Sequence, residues 1–323
     1  MPTYTGIKSE AFRHPLDKEA EKALRNLPGF DVVARKFVEF VYEKPQFVFL
    51  MGNSIQVGPR QYPTIYHIFR ECVRDLDIYP QPALFVAQNP LVNAQAIGQE
   101  QPCVILNSAL LDLLDESEIR SVLAHELGHI KCGHTTLIQM ARWLMEAAFF
   151  IGDLTFGIGN IFNRGLILAF YEWLRKAELS ADRAALLVMD DVNPVMHSMM
   201  KMAGGSVRYA KECSLDEFKS QAQKYQELDE DSLNQIYKFL LYNNISQGVF
   251  TTHPFTVERI RHLQEWANSE EYRQIRQGNY QQTTTQAVNV TSEASPTDVE
   301  ILKRQIEKLQ QEINQIKSQS LDE

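Results

Sequence analysis

The sequence predicts an α+β protein, mainly α with a small antiparallel β-sheet, and three observations carry that expectation. Apolar residues recur at three- and four-residue intervals over most of the chain. One region only, residues 83–106, strings short apolar runs between Pro and Gly, and two histidines spaced i, i+4 fall within one of the helical stretches. The 323 residues are 44% apolar and 23% charged, globular proportions with ample material for a core. A formal net charge of −9 argues against a broad nucleic-acid surface, so no nucleic-acid partner is expected.

Residues 1–60 read as a helical segment that packs on the domain after it. Leu24, Phe30, Val33, Phe37, Phe40 and Val41 keep helical spacing, and Pro28-Gly29 breaks the stretch in two. The main domain is expected over 61–280. It opens with a helix from Pro63 to Leu76, striped by Ile65, Phe69, Cys72, Val73 and Leu76. Three strands follow, Ala83–Val86, Val92–Ile97 and Cys103–Leu106; their separation by Pro and Gly favours antiparallel pairing. Asp115 with Glu118 three residues later has the spacing of a capping box, which starts a helix carrying Ile119, Val122, Leu123, Leu127 and Ile130 on its apolar face. Helical patterns continue from Thr135 to Val188 with a Gly-rich interruption, and on to about Phe250.

Residues 281–298 are polar and turn-rich, the composition of a flexible linker. Beyond it, within 299–321, Val299, Leu302, Ile306, Leu309, Ile313 and Ile316 form an a/d seam about three heptads long. Self-association through a short coiled coil is the expectation; a solitary amphipathic helix docking on its own domain is the alternative.

The polar start lacks an apolar signal core, and the four cysteines, with no CxxC pair, read as reduced thiols, so a cytoplasmic location is expected. The most membrane-like stretch is 147–171. Asp153, Arg164 and several glycines interrupt it short of the roughly 18–20 apolar residues a span requires. Peripheral membrane contact is what it could offer.

The chemistry concentrates in His125-Glu126-Leu127-Gly128-His129, an HExxH sequence. Histidines at i and i+4 share one helical face and converge on one ion, with Glu126 beside them as general base for a metal-activated water. One Zn2+ per chain is expected. A catalytic zinc takes three protein ligands and keeps one open position. His134 does not suit the third place: the extended HExxHxxGxxH pattern needs Gly at 132 and His at 135, where this chain has Cys132 and Thr135, and Gly133 should already have ended the helix. Glu178 suits it better. With Asp182 it lies on one face of a helix whose Ala177, Ala181, Ala184 and Ala185 let a second helix approach closely. Asp182 could then hydrogen-bond the outer nitrogen of a ligating histidine.

HELGHIKCGH followed about fifty residues later by ExxxD resembles the HtpX-like zinc endopeptidases, the superfamily that includes the prenyl-protein (CAAX) endopeptidases. Asn93–Gly98, Val104–Leu111 and Thr252-His253-Pro254 with Arg259-Ile260 are similar to further stretches of that family. The resemblance implies a gluzincin-like domain built on an active-site helix, and a sheet whose edge strand holds an extended polypeptide substrate. It further implies that Asn93 and Ala94 bind the substrate main chain and that His253 stabilises the oxyanion. The chain departs from the integral-membrane members in its short, interrupted hydrophobic hairpin.

The reading is therefore a metalloendopeptidase, with protein quality control as a role. The rivals are a catalytically silent zinc-binding scaffold and a membrane-docking assembly factor acting through the coiled coil.

Overall fold

Three helices open the chain: α1 (Pro15–Arg25), α2 (Phe30–Phe40) and α3 (Glu43–Asn53). The computed structural model describes residues 3–40, 43–151, 164–227 and 256–282. Pro15 occupies the first turn of α1, where its missing N–H costs nothing, and His14 caps it by accepting the Leu16 N–H at 3.2 Å. The expected break at Pro28-Gly29 falls between α1 and α2, with Gly29 at φ +93°.

The sheet comprises β1 (Ile55–Gln56), β2 (Ala83–Ala87), β3 (Ala94–Ile97) and β4 (Cys103–Asn107), in the order β1-β2-β4-β3, with α4 (Pro63–Asp75) between β1 and β2 in sequence. It is mixed rather than antiparallel throughout. β1–β2 and β3–β4 are antiparallel, but β2 and β4 run parallel, with Ala83 opposite Cys103 and Ala87 opposite Asn107. Residues 88–93 carry the chain past the place that β4 later fills, so β3 is laid down at the edge and β4 returns between it and β2. β4 is buried along its whole length, as a central strand should be, while β3 alternates buried and half-buried residues.

After α5 (Ser108–Leu113) comes α6 (Glu116–Lys131), the axis of the domain. Its capping box is complete: the Glu118 N–H donates to Asp115 Oδ1 and the Asp115 N–H to Glu118 Oε2, each at 2.9 Å. Every residue from Glu118 to His129 is buried, so the helix has no solvent face over three turns. α7 (Thr135–Ile151) and the long α8 (Arg164–Met189) follow, then α9 (Val192–Gly204), α10 (Leu215–Gln226), α11 (Thr256–Ala267) and α12 (Glu270–Arg276).

One core cluster joins α4, α6, α8, α9 and the inner face of the sheet around Phe69, Leu106, Leu123 and Leu187. A second joins α2, α7 and the first half of α8 around Phe30, Leu144, Phe170 and Trp173. Leu50 of α3 covers Phe85, Cys103 and Ile105 on the other face of the sheet. No helix among the described residues is long and apolar enough to cross a membrane.

The chain divides into two compact units, Met1–Thr283 and Thr284–Glu323. The expected coiled coil at 299–321, His253 and the middle of the 147–171 stretch lie outside the described residues.

Candidate metal centre

The close approach of α6 and α8 begins with small residues. A Cβ on Gly128 would come within 2.7 Å of the Ala184 Cβ and 3.0 Å of the Ala181 Cα, so glycine here sets the separation of the two helices. At that separation His125 and His129 of α6 face Glu178 of α8. The His125 and His129 Nε2 atoms are 3.2 Å apart, and each stands 3.3 Å from an oxygen of Glu178. All three side chains are buried, and among the described residues they are the one His/Cys/Asp/Glu group whose donor atoms gather this way.

That donor group fits zinc. Ligand bonds of about 2.0–2.1 Å at tetrahedral angles set donors about 3.3–3.4 Å apart. The two Nε2 atoms are 3.2 Å apart and the carboxylate lies across them, with Oε2 3.3 Å from His125 Nε2 and Oε1 3.3 Å from His129 Nε2. The ε nitrogens also point inward because each δ nitrogen is held from outside. The His125 Nδ1–H donates to Asp182 Oδ1 at 3.0 Å. Arg259 of α11 then clamps Asp182 with two hydrogen bonds, Nε to Oδ2 at 2.8 Å and a terminal nitrogen to Oδ1 at 2.6 Å, and reaches Glu178 Oε2 at 3.1 Å. In the sequence Arg259 stands out only within a family resemblance; no local pattern shows that its guanidinium is buried between two carboxylates.

His129 is held differently. Its Nδ1 lies 3.1 Å from His134 Nδ1, and His134 Nε2 lies 3.0 Å from Asp17 Oδ2 on α1. His134 is absent from the donor group, and Gly133 does end α6, at φ +71°. The ending is a Schellman turn, with the Gly133 N–H returning to Ile130 O and the His134 N–H to His129 O, each at 3.0 Å. The turn that removes His134 from the ligand face folds it back beneath His129. Gly133 was therefore the signal in the sequence that could have found this contact.

Charge follows these contacts. Burial disfavours the His125 cation, but Asp182 and Glu178 outweigh it and push its pKa up to about 9 in the metal-free protein. At His129 burial wins over Glu178, with His125 and His134 adding to it, and the pKa falls to about 4. Burial raises the Asp182 carboxyl, yet Arg259 holds it below the usual carboxylate range. Glu126 is buried on α6, and its charge contributes to holding the proton on Arg259.

Among the other expected site residues, Ala94 is a buried residue of β3, and Asn93 directly precedes the strand and accepts the Asn107 N–H at 3.0 Å. β3 ends the sheet order and packs beside α6.

A mainly helical domain with a His-His-Glu triangle buried between two crossing helices is that of a metallopeptidase. The chain belongs to peptidase family M48, whose model matches residues 59–267. It is 32% identical over 287 residues to the plastoglobule-localized metallopeptidase 48 of Arabidopsis thaliana chloroplasts, covering 88% of this chain and 80% of that protein. It is also similar to protease HtpX homologues, at 28% identity in Tropheryma whipplei strain Twist (68% of this chain, 78% of that one) and 25% in Helicobacter pylori strain J99 (62% and 66%).

Proposed function

We propose that the chain is a zinc-dependent endopeptidase in which His125, His129 and Glu178 hold the metal and Glu126 is the general base. The observation that carries this is the buried donor group, in which two imidazole Nε2 atoms 3.2 Å apart face the two oxygens of one carboxylate, a donor set that suits tetrahedral zinc. A bound Zn2+ supplies Lewis acidity, polarising the scissile carbonyl and acidifying the attacking water. Glu126, next to His125 on the same helix, takes the water's proton and returns it to the leaving amine. Asp182 keeps the His125 proton on Nδ1 so that Nε2 keeps its lone pair for the metal. His253 stabilises the oxyanion in this reading.

The substrate is a polypeptide taken as an extended strand along β3, with Asn93 and Ala94 pairing with its main chain. The terminal place of β3 in the sheet supports this, as does its anchoring by helix α7, where Arg142 donates to the Gln95 side chain. Chains with exposed extended segments are the substrates that quality-control proteolysis consumes, and we assign that role. Self-association through 299–321 and peripheral lipid contact through 147–171 complete the proposal. The a/d seam supports the first; the apolar composition of 147–171 and the plastoglobule location in a relative's name support the second.

Cleavage of casein by the purified protein and by Glu126→Gln tests the mechanism, with zinc content measured on both. The variant should keep its zinc and lose about 10²–10⁴-fold in rate. Full activity in Glu126→Gln would remove Glu126 from its role, and cleavage that survives a chelator would remove the metal.

A further inference from the structure

We infer that Asp17, on a helix outside the residues matched to the family, is a positioning residue of the metal centre, fixing the tautomer and orientation of His129 through His134. The inference rests on the proposal that His129 binds the metal through Nε2. Once that nitrogen gives its lone pair to a metal, the neutral ring carries its proton on Nδ1.

The rest of the proton order then follows without choice. The His129 Nδ1–H faces His134 Nδ1 at 3.1 Å, so His134 must accept there, and a neutral ring that accepts at Nδ1 carries its proton on Nε2. That Nε2–H points at Asp17 Oδ2, 3.0 Å away. A carboxylate that only accepts closes the chain, and Asp17 is kept one by its other donors: Arg13 Nε and Ser180 Oγ reach Oδ2 at 2.7 Å, and a second Arg13 nitrogen reaches Oδ1 at 3.0 Å.

The placement is rigid. Asp17 and His134 are fully buried, and the His134 ring stands edge-on to Trp173 with centroids 5.8 Å apart. The His14 N–H donates to Ser180 Oγ at 3.0 Å, which ties the start of α1 to α8 two residues past Glu178. The N-terminal segment is thereby part of the centre's second layer, and the region matched to the family lacks the terminal acceptor of the His129 chain.

Ring-nitrogen NMR on the zinc-loaded, full-length protein with labelled histidines tests the order directly. His129 should be protonated at Nδ1 and His134 at Nε2. In Asp17→Asn the side-chain amide can turn a donor toward His134, so zinc affinity measured by chelator competition should fall about 10- to 100-fold, as for other outer partners of metal-bound histidines. Glu178→Ala is measured beside it. Undiminished zinc affinity in Glu178→Ala would overturn the metal-centre reading and this inference with it. Lost affinity there, with Asp17→Asn within about twofold of the unsubstituted protein, would overturn the inference alone. A His134 carrying its proton on Nδ1 in the unsubstituted protein overturns it as well, and that measurement needs no variant to fold.

Discussion

His125 and His129 stand one helical turn apart on α6, yet their outer nitrogens meet different chemistry. His125 touches a carboxylate directly, and that carboxylate is locked by the buried Arg259. His129 touches a second imidazole, that of His134, and the carboxylate behind it belongs to α1. The two rings respond in opposite directions, about 9 for His125 against about 4 for His129. A carboxylate in contact with an imidazole transmits both charge and orientation. Behind a second imidazole it still orients, but much of its field is spent on the ring between. At neutral pH the metal-free centre therefore carries its proton on the His125 side, and metal binding must displace it there.

The largest expected effect comes from removing the cation on the His125 side. Arg259→Met leaves Asp182 and Glu178 buried without their guanidinium, which should cost about 3–5 kcal/mol of unfolding free energy in the metal-free protein. Arg13→Met is the matching change on the other side. The Arg13 side chain is 16% exposed and Asp17 keeps Ser180 and His134 as donors, so a loss of about 1–3 kcal/mol is expected. Denaturant unfolding measures both, and equal losses would show that the two sides are not held by different means.

Gly128→Ala probes what both sides share. The added methyl would press on Ala184 and Ala181 and separate α6 from α8, an overpacking that costs about 1–3 kcal/mol. Because Glu178 would recede from both histidines together, zinc affinity should fall with the stability. Normal stability and zinc binding in this variant would mean that glycine does not set the helix separation.

What the sequence made legible follows the range of the forces involved. The capping box at Asp115 and Glu118, the end of α6 at Gly133 and the shared face of His125 and His129 depend on neighbours within a turn, and each was readable. The approach of α8 was readable because Ala181 and Ala184 answer Gly128 in size. Strand direction was not, since short apolar runs show where strands lie but not whether 88–93 turns back at once or passes over the place of β4. Nor was Asp17, 117 residues from His134 and on a helix whose own pattern shows only an amphipathic surface element. Its place is decided by packing of α1 on α8, which no local spacing records.

The smallest effect expected belongs to His14, which starts the helix that carries Asp17. Burial, followed by Arg183, His262 and Lys176, lowers its pKa to about 3, with Asp17 pulling the other way. As cap it accepts the Leu16 N–H through Nδ1, which only the neutral ring can do. In the unfolded chain a histidine titrates near 6.5. Between that value and about 3 the unfolded state binds a proton that the folded state refuses, so stability falls as pH falls through this window. Asn in the same place caps equally well and does not titrate. His14→Asn should therefore remove about 1 kcal/mol of the stability lost between roughly pH 6.5 and 5.5, and leave stability above neutrality little changed. Parallel unfolding curves for the two proteins across this range would mean that His14 is not held neutral, and that the start of α1 is looser than the Asp17 contacts require.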